Sequence, residues 1–176
     1  MKNLKSLLAT ISLPLIAVLL TGCLITGTFI TEILFTNIDF VPTENLYREQ
    51  VDLTEDDTWE EHQDDIKSID LIGFELWITN SSGSDQTFQG YVNPADEQYY
   101  STAANVQSNA TVILDELTLA PGPNYVSYPQ SFTYIKNIET LKTLVESGQL
   151  NVYGLVSGGS FTLDSLRVIV TFTAGQ

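Results

Sequence analysis

Eight carboxylate side chains lie close together between residues 51 and 65, in the segment VDLTEDDTWEEHQDD. Several carboxylate oxygens on one loop are the ligands that Ca²⁺ prefers, although the spacing lacks the glycine and the final glutamate of an EF-hand loop. The candidate metal ligands are Asp52, Asp56, Asp57, Glu60 and Glu61. The alternative is structural, because Thr58 and Glu61 form a capping box and the surrounding acids would stabilise the positive end of a helix. We favour the helix start, and Ca²⁺ is the one cofactor that the sequence leaves open.

The residues that most enzymes require are scarce. His62 is the only histidine, no G-x-S-x-G motif accompanies it, and we expect it to be an exposed helical residue. One histidine and one cysteine cannot supply three nitrogen or sulfur ligands to zinc. The glycine-rich run from Ser157 to Ser160 lacks the lysine of a phosphate-binding loop. The sequence therefore predicts a protein that is not an enzyme, with a hydrolase using paired carboxylates as the less favoured alternative.

Tyrosines form the second notable group, and six of them fall between residues 91 and 134. Several lie in loop-like sequence such as NPADEQYYSTAANVQ. Exposed tyrosines stack on sugars or anchor protein interfaces, whereas buried ones close the ends of a core with their hydroxyl groups reaching water. We favour the core role for most of this group: Tyr91, Tyr99, Tyr100, Tyr125, Tyr128 and Tyr134.

The chain opens with the features of a secretory signal peptide. Lys2 and Lys5 precede an apolar stretch from Leu7 to Leu20, which is too short to span a bilayer comfortably. The small residues Thr21 and Gly22 then precede Cys23, the only cysteine. The run Leu20-Thr21-Gly22-Cys23 resembles the lipobox of bacterial lipoproteins.

That resemblance covers about the first 23 residues and implies cleavage after Gly22 and acylation of Cys23, with palmitate-like chains as the membrane anchor. Stable anchoring takes two or more acyl chains. Leu24 stands where lipoproteins kept at the inner membrane often have aspartate, which favours the outer membrane in a cell that has two. With Cys23 acylated, no thiol remains for a disulfide, so the exported domain must be stable through its core alone.

Length and charge limit the partners. Without residues 1–22 the chain has 154 residues, enough for one domain, and the loss of two lysines takes the formal charge from −15 to −17. Such a surface repels nucleic-acid phosphates, so we expect no nucleic acid partner. The expected organisation is a signal peptide over 1–22, a short tether over 23–27 and a β domain over 28–176.

Strand-like sequence dominates from Gly27 onward, with Val, Ile, Thr, Tyr and Phe separated by turn residues. Alternation is clearest in the last strand, where Leu166, Val168 and Val170 share one face. The Gly158-Gly159-Ser160 turn predicts a hairpin between the last two strands. The expected strands are 28–40, 68–80, 86–92, 111–119, 150–157 and 161–172.

Two helices interrupt the strands, one from Thr58 to Lys67 and one from Ile138 to about Ser147, the second capped by Asn137 and ended by Gly148. Trp77 lies opposite the apolar face of its strand and is expected to be buried. The pattern predicts an all-β protein with two short helices, built as a single β-sandwich of immunoglobulin-like or jelly-roll character.

The combined expectation is a non-catalytic lipoprotein of the bacterial cell envelope that exposes its sandwich as a binding or assembly domain. Its partners would be the lipid bilayer, through acylated Cys23, and an envelope protein. The alternatives are a calcium- or carbohydrate-binding surface module, a hydrolase, and a filament subunit that pairs through exposed sheet edges.

Overall fold

Two antiparallel sheets pack face to face in the computed structural model, which describes residues 26–35, 39–158 and 161–175. The all-β sandwich predicted from the sequence is confirmed. One sheet has four strands in the order β1-β9-β4-β7, and the other has five in the order β2-β3-β8-β5-β6. The strands are β1 Thr26–Phe35, β2 Asp39–Val41, β3 Leu46–Asp52, β4 Ile66–Asn80, β5 Gln86–Pro94, β6 Thr111–Leu119, β7 Gly122–Val126, β8 Gln149–Val156 and β9 Phe161–Gly175.

Within the described ranges, four α-helices connect the strands: α1 Asp57–His62, α2 Ala103–Asn109, α3 Tyr128–Ser131 and α4 Ile138–Glu146. Short 3₁₀ turns, Leu53–Glu55 and Gln63–Asp65, flank α1. Among the described residues, no helix combines the length and the apolar character needed to cross a bilayer.

The core lies between the two sheets because each presents an apolar face to the other. Ile72 on β4 and Phe172 on β9 join one buried cluster with Val51 on β3, Val92 on β5 and Leu150 on β8. The predicted alternation of β9 is confirmed at its C-terminal end, where Val170 and Phe172 are fully buried and Thr171 between them is only partly buried.

The expected strand 28–40 is two strands. β1 ends at Phe35 in the four-stranded sheet, while β2 begins at Asp39 in the five-stranded sheet. The predicted hairpin between the last two strands is also wrong, again because the two strands belong to different sheets. β8 pairs with β3 and β5, whereas β9 pairs with β1 and β4, so the connection after Gly158 carries the chain from one sheet to the other.

The two predicted helices exist with different ends. The first begins at Asp57 with Asp56 as its N-cap, not at Thr58, and β4 starts at Ile66, within the range expected to be helical. The second runs from Ile138 to Glu146, and Gly148 follows it with φ at 79°, as its stop role requires. Asn137 does not cap it through its side chain, which instead donates to the Val112 carbonyl at 2.8 Å.

Candidate functional site

The predicted lipidation site lies outside the described residues. Gly22 and Cys23 precede Thr26, where β1 begins three positions after the cysteine in the sequence. Acylation and cleavage therefore stay predictions.

The acidic segment closes one end of the sandwich. Trp59 and Leu53 are almost fully buried, and the indole ring meets Phe172 edge-on with 5.4 Å between ring centroids. The Leu53 N–H donates to the Gly148 carbonyl at 2.7 Å, which ties the segment to the start of β8. Its apolar members fill the core while its acids surround them.

Two of the five candidate metal ligands hold backbone structure. One Asp52 oxygen accepts from the Thr54 amide at 3.0 Å and from its hydroxyl at 2.6 Å, and these bonds lower the pKa of Asp52. The other oxygen accepts from Gln149 at 2.7 Å. Asp56 accepts from the Trp59 amide at 2.9 Å. Both carboxylates thus act as helix caps, which supports the structural interpretation.

The other three candidate ligands, Asp57, Glu60 and Glu61, are exposed. Within the described part of the chain, no group of three or more His, Cys, Asp or Glu residues converges in a way that could hold a metal ion.

His62 is half-buried, so the expectation that it is exposed is wrong. Its ring lies 3.8 Å from the Phe29 ring, centroid to centroid, and this contact joins α1 to β1. The imidazole packs at the same end of the sandwich as the acidic segment.

The tyrosines divide between core and surface. Tyr91 and Tyr100 are buried together with Tyr153, whose hydroxyl accepts from the Tyr100 amide at 3.1 Å and donates to Asn93 at 3.0 Å. Tyr125 is instead half-exposed on β7. The core role is confirmed for Tyr91 and Tyr100, and Tyr125 belongs to a surface.

The outer faces of the two sheets differ in how they are covered. On the five-stranded sheet, α2 and the chain before it form a third buried cluster in which Val106 packs with Leu46 and Tyr153. On the outer face of the four-stranded sheet, Tyr128 of α3 and the following Phe132 pack over Gly73. The tyrosine-rich loop and α2 therefore bury part of the outer face of the five-stranded sheet.

Among the described residues, five large hydrophobic side chains are exposed. They all lie on the outer face of the four-stranded sheet or at the end of α3 above it: Ile30, Leu34, Leu71, Tyr125 and Phe132. Ile30 and Leu71 flank Thr171 in one cross-strand row, and Leu34 lies beside Arg167 in another. We call these five residues the exposed face.

Charged groups cross the exposed face beside an aromatic pair. The Trp77 and Tyr125 rings stack with 4.8 Å between centroids, and the Tyr125 hydroxyl donates to Glu75 at 3.0 Å. Arg167 pairs with Glu75 and lies 3.5 Å from a Glu32 oxygen. The guanidinium group lowers the pKa of Glu75, and Glu75 in turn raises the pKa of Arg167. Trp77 is thus half-buried under Tyr125 instead of fully buried as expected.

Helix α3 is seated on this sheet through Gly73. A Cβ built there would lie 2.4 Å from the Tyr128 ring and 3.1 Å from Phe132, so only glycine admits the helix. β7 ends its pairing opposite Leu76, and the Ser131 hydroxyl accepts from the Phe74 amide at 3.1 Å. The helix thereby continues the edge of β4 where β7 stops.

This arrangement suits binding more than catalysis, because aromatic and aliphatic side chains lie beside an arginine and two carboxylates, as in protein interfaces. Sequence reasoning missed the face as a unit. The sequence of β1 could have revealed it. The apolar residues Ile30 and Leu34 alternate there with Phe29, Ile33 and Phe35, so both faces of an edge strand are apolar.

Comparison with known proteins identifies no family. No family model matches the chain, and no curated protein matches it. Among solved structures, a chain of Desmodium yellow mottle tymovirus matches with 10% identity and a TM-score of 0.37, covering 86% of this chain and 89% of its own. A likeness at that level supports no inference about function.

Proposed function

We propose that this protein is a non-catalytic lipoprotein of the bacterial cell envelope that binds a partner protein through the exposed face of its sandwich. The observation that carries the binding role is where the five exposed large hydrophobic side chains of the described residues collect: all lie on the outer face of the four-stranded sheet or at the end of α3 above it, whereas α2 covers part of the outer face of the other sheet. Contiguous apolar surface rimmed by polar groups is typical of interaction sites.

Membrane attachment is supported by the sequence Leu20-Thr21-Gly22-Cys23 after a short apolar run. With β1 starting three residues after Cys23, the tether is short, and the sandwich would lie near the bilayer. Leu24 favours the outer membrane in a cell with two membranes. The partner would then be a protein at the same membrane.

Charge favours a protein partner over the lipid surface as the occupant of the exposed face. The mature chain would carry a formal charge of −17, and the acidic segment contacts β1 at the end nearest Cys23 in sequence. Anionic headgroups would repel that end. A second copy would carry the same charge, so the favoured partner is a protein whose contact surface is apolar and basic.

Anchoring is tested by mass spectrometry of the protein extracted from its own membranes. We expect the mature amino terminus to be Cys23 carrying acyl groups. The Cys23→Ser variant should keep residues 1–22 and should show no acylated form. An unmodified Met1, or a free thiol at position 23, would refute the lipoprotein assignment.

Binding is tested by site-specific photo-crosslinking in intact cells. A photoreactive phenylalanine analogue at Leu34 or Leu71 should capture the same protein, whereas the analogue at Gln107, exposed on α2, should not. The Ile30→Glu variant should weaken capture by about tenfold or more, since it places a charge in an apolar contact. Equal capture from Gln107, or adducts only with lipid or with a second copy, would contradict the proposed partner.

A carbohydrate is the second candidate ligand because the Trp77–Tyr125 stack offers an aromatic platform with Glu75 and Arg167 beside it. Titration with cell-wall glycan fragments distinguishes it: Tyr125→Ala should abolish binding of a sugar, whereas Ile30→Glu should not affect it.

A further inference from the structure

A cavity of about 110 Å³ lies between the two sheets. Strands of both sheets line it, with Ile33 from β1, Ile72 and Phe74 from β4, Val152 from β8 and Val168 from β9 among its walls. Helix α4 contributes Leu141 and Val145. The cavity is therefore part of the sandwich core and is separate from the exposed face.

The wall of the cavity is hydrocarbon. Two tyrosines line it, and both hydroxyl groups bond elsewhere: Tyr47 donates to the Phe161 carbonyl at 3.2 Å, and Tyr153 donates to Asn93 at 3.0 Å. A buried water requires two to four polar partners, and apolar cavities of comparable size, about 150 Å³, stay dry and accept benzene or xenon. The chemistry of the wall thus favours an apolar occupant over water.

The cavity opens toward one side of the sandwich. Ile33 pairs with Val168 in the four-stranded sheet, and Glu49 pairs with Val152 in the five-stranded sheet. All four lie among the cavity's lining residues, yet each keeps partial solvent exposure. β2 pairs only with Leu46–Arg48, so its ladder stops just before Glu49. We call these four residues the mouth.

Glu49 sets the charge at the mouth, because the guanidinium group of Arg48, the other charged lining residue, lies over the Tyr99 ring on the outer face of β3. It alternates with Tyr47 and Val51, which belong to the buried clusters, and is therefore on the core-facing side of β3. A carboxylate here, on a chain with a formal charge of −15, would repel an anionic head group. The apolar part of a ligand could enter while an uncharged head stayed outside.

We propose that the sandwich binds the end of an alkyl chain with an uncharged head group, inserted through the mouth into the cavity between the sheets. This site is independent of Cys23 and of the exposed face, so it stands even if the lipoprotein and partner-binding roles are both refuted.

The test uses the native protein in a whole-cell extract, membranes included, and a 1-decanol probe with a diazirine near the end of its chain. Peptide mass spectrometry after irradiation should place the label on segments that contain Ile33, Val152 or Val168. Val152→Phe, which fills the mouth, should lower labelling by about tenfold, the loss expected when about two methylene groups are no longer buried. Thr118→Phe is the matched control, since threonine has the shape of valine and this residue is exposed on β6, away from the cavity.

Charge selectivity is measured with a decanoic acid probe that carries the same diazirine. The acid should label the wild-type cavity about fivefold less than the alcohol, and Glu49→Gln should remove that difference. A monodecanoyl glycerol probe distinguishes the source of the ligand: stronger labelling than with decanol assigns a membrane lipid, and weaker labelling assigns a free alcohol.

Label confined to the outer surfaces of the wild-type chain would overturn the proposal, and this outcome does not depend on any variant folding. Equal labelling of Val152→Phe and Thr118→Phe, both verified as folded by circular dichroism, would also overturn it. A preference for the acid probe would refute the assignment of an uncharged head group.

Discussion

Replacing Gly73 with alanine tests whether helix α3 is seated on the four-stranded sheet as described. The new Cβ would lie 2.4 Å from the Tyr128 ring, whereas carbon atoms in contact are about 3.5–4.0 Å apart, so the ring must move by roughly 1 Å or more. The backbone at Gly73 is not in the left-handed region, which means that the clash alone sets the effect.

The expected cost has two parts. Overpacking costs about 1–3 kcal/mol, and moving α3 would stretch the hydrogen bond from the Phe74 amide to Ser131, worth about 1 kcal/mol. We expect Gly73→Ala to lower the free energy of unfolding by about 2–4 kcal/mol in total. Urea unfolding followed by tryptophan fluorescence measures it.

Gly83→Ala is the control, because a Cβ at that exposed glycine meets nothing within 4 Å. It should change the free energy of unfolding by less than about 1 kcal/mol. Combining Gly73→Ala with Tyr128→Ala should recover much of the loss, with a coupling energy of about 1 kcal/mol or more. A Gly73→Ala protein as stable as Gly83→Ala, or no coupling to Tyr128, would refute the reasoning.

Three further perturbations concern the acidic end and the carboxylates. Trp59→Ala should cost about 3–5 kcal/mol in urea unfolding, because its side chain is 1% exposed; a loss below that of Trp77→Ala would contradict its role in closing the core. Asp56→Ala should cost about 1 kcal/mol by removing the N-cap, against less than about 0.5 kcal/mol for exposed Asp57→Ala; equal effects would contradict the capping assignment. Hydrogen bonds from Ser68 and Thr173 lower the pKa of Asp70, so its stabilising effect is present above about pH 4 and is lost as the pH falls through the lowered pKa. The drop in melting temperature from pH 7 to pH 3 should therefore be smaller for Asp70→Asn than for the wild type. An equal drop in the two proteins would argue against these bonds.

Strand positions were predictable where one face is buried and the other is not. β9 and the second half of β4 alternate clearly, and the range predicted for β6 matches the structure residue for residue. β3 was missed because its sequence LYREQVD is mostly polar; it is held by pairing with β8 along its whole length. Tertiary context, and not local propensity, makes it a strand.

Which sheet a strand joins was not predictable from local sequence. A glycine-rich turn between two apolar strands is the usual sign of a hairpin, yet β8 and β9 belong to different sheets. The turn residues specify a reversal of direction, but the same reversal can lead into a neighbouring strand or across the core.

The candidate sites depended even more on tertiary structure. The cavity collects residues from β1 to β9 that are far apart in sequence, and the exposed face needs the register of β1, β9 and β4 to place Ile30 and Leu71 on either side of Thr171. What local sequence could predict was the role of the acids around Trp59, although it assigned the cap to Thr58 when Asp56 holds that position.

The place of β9 has a consequence for how the molecule folds. It lies between β1 and β4, which are not adjacent to each other, and it joins Thr26 to Gly175 across almost the whole described sequence. During synthesis, β1 has no pairing partner until β9 has emerged, since no other strand in the described chain pairs with it. Closure of this sheet is therefore a late event over a very long loop, which makes folding slow and leaves the apolar strand β1 in need of protection until then.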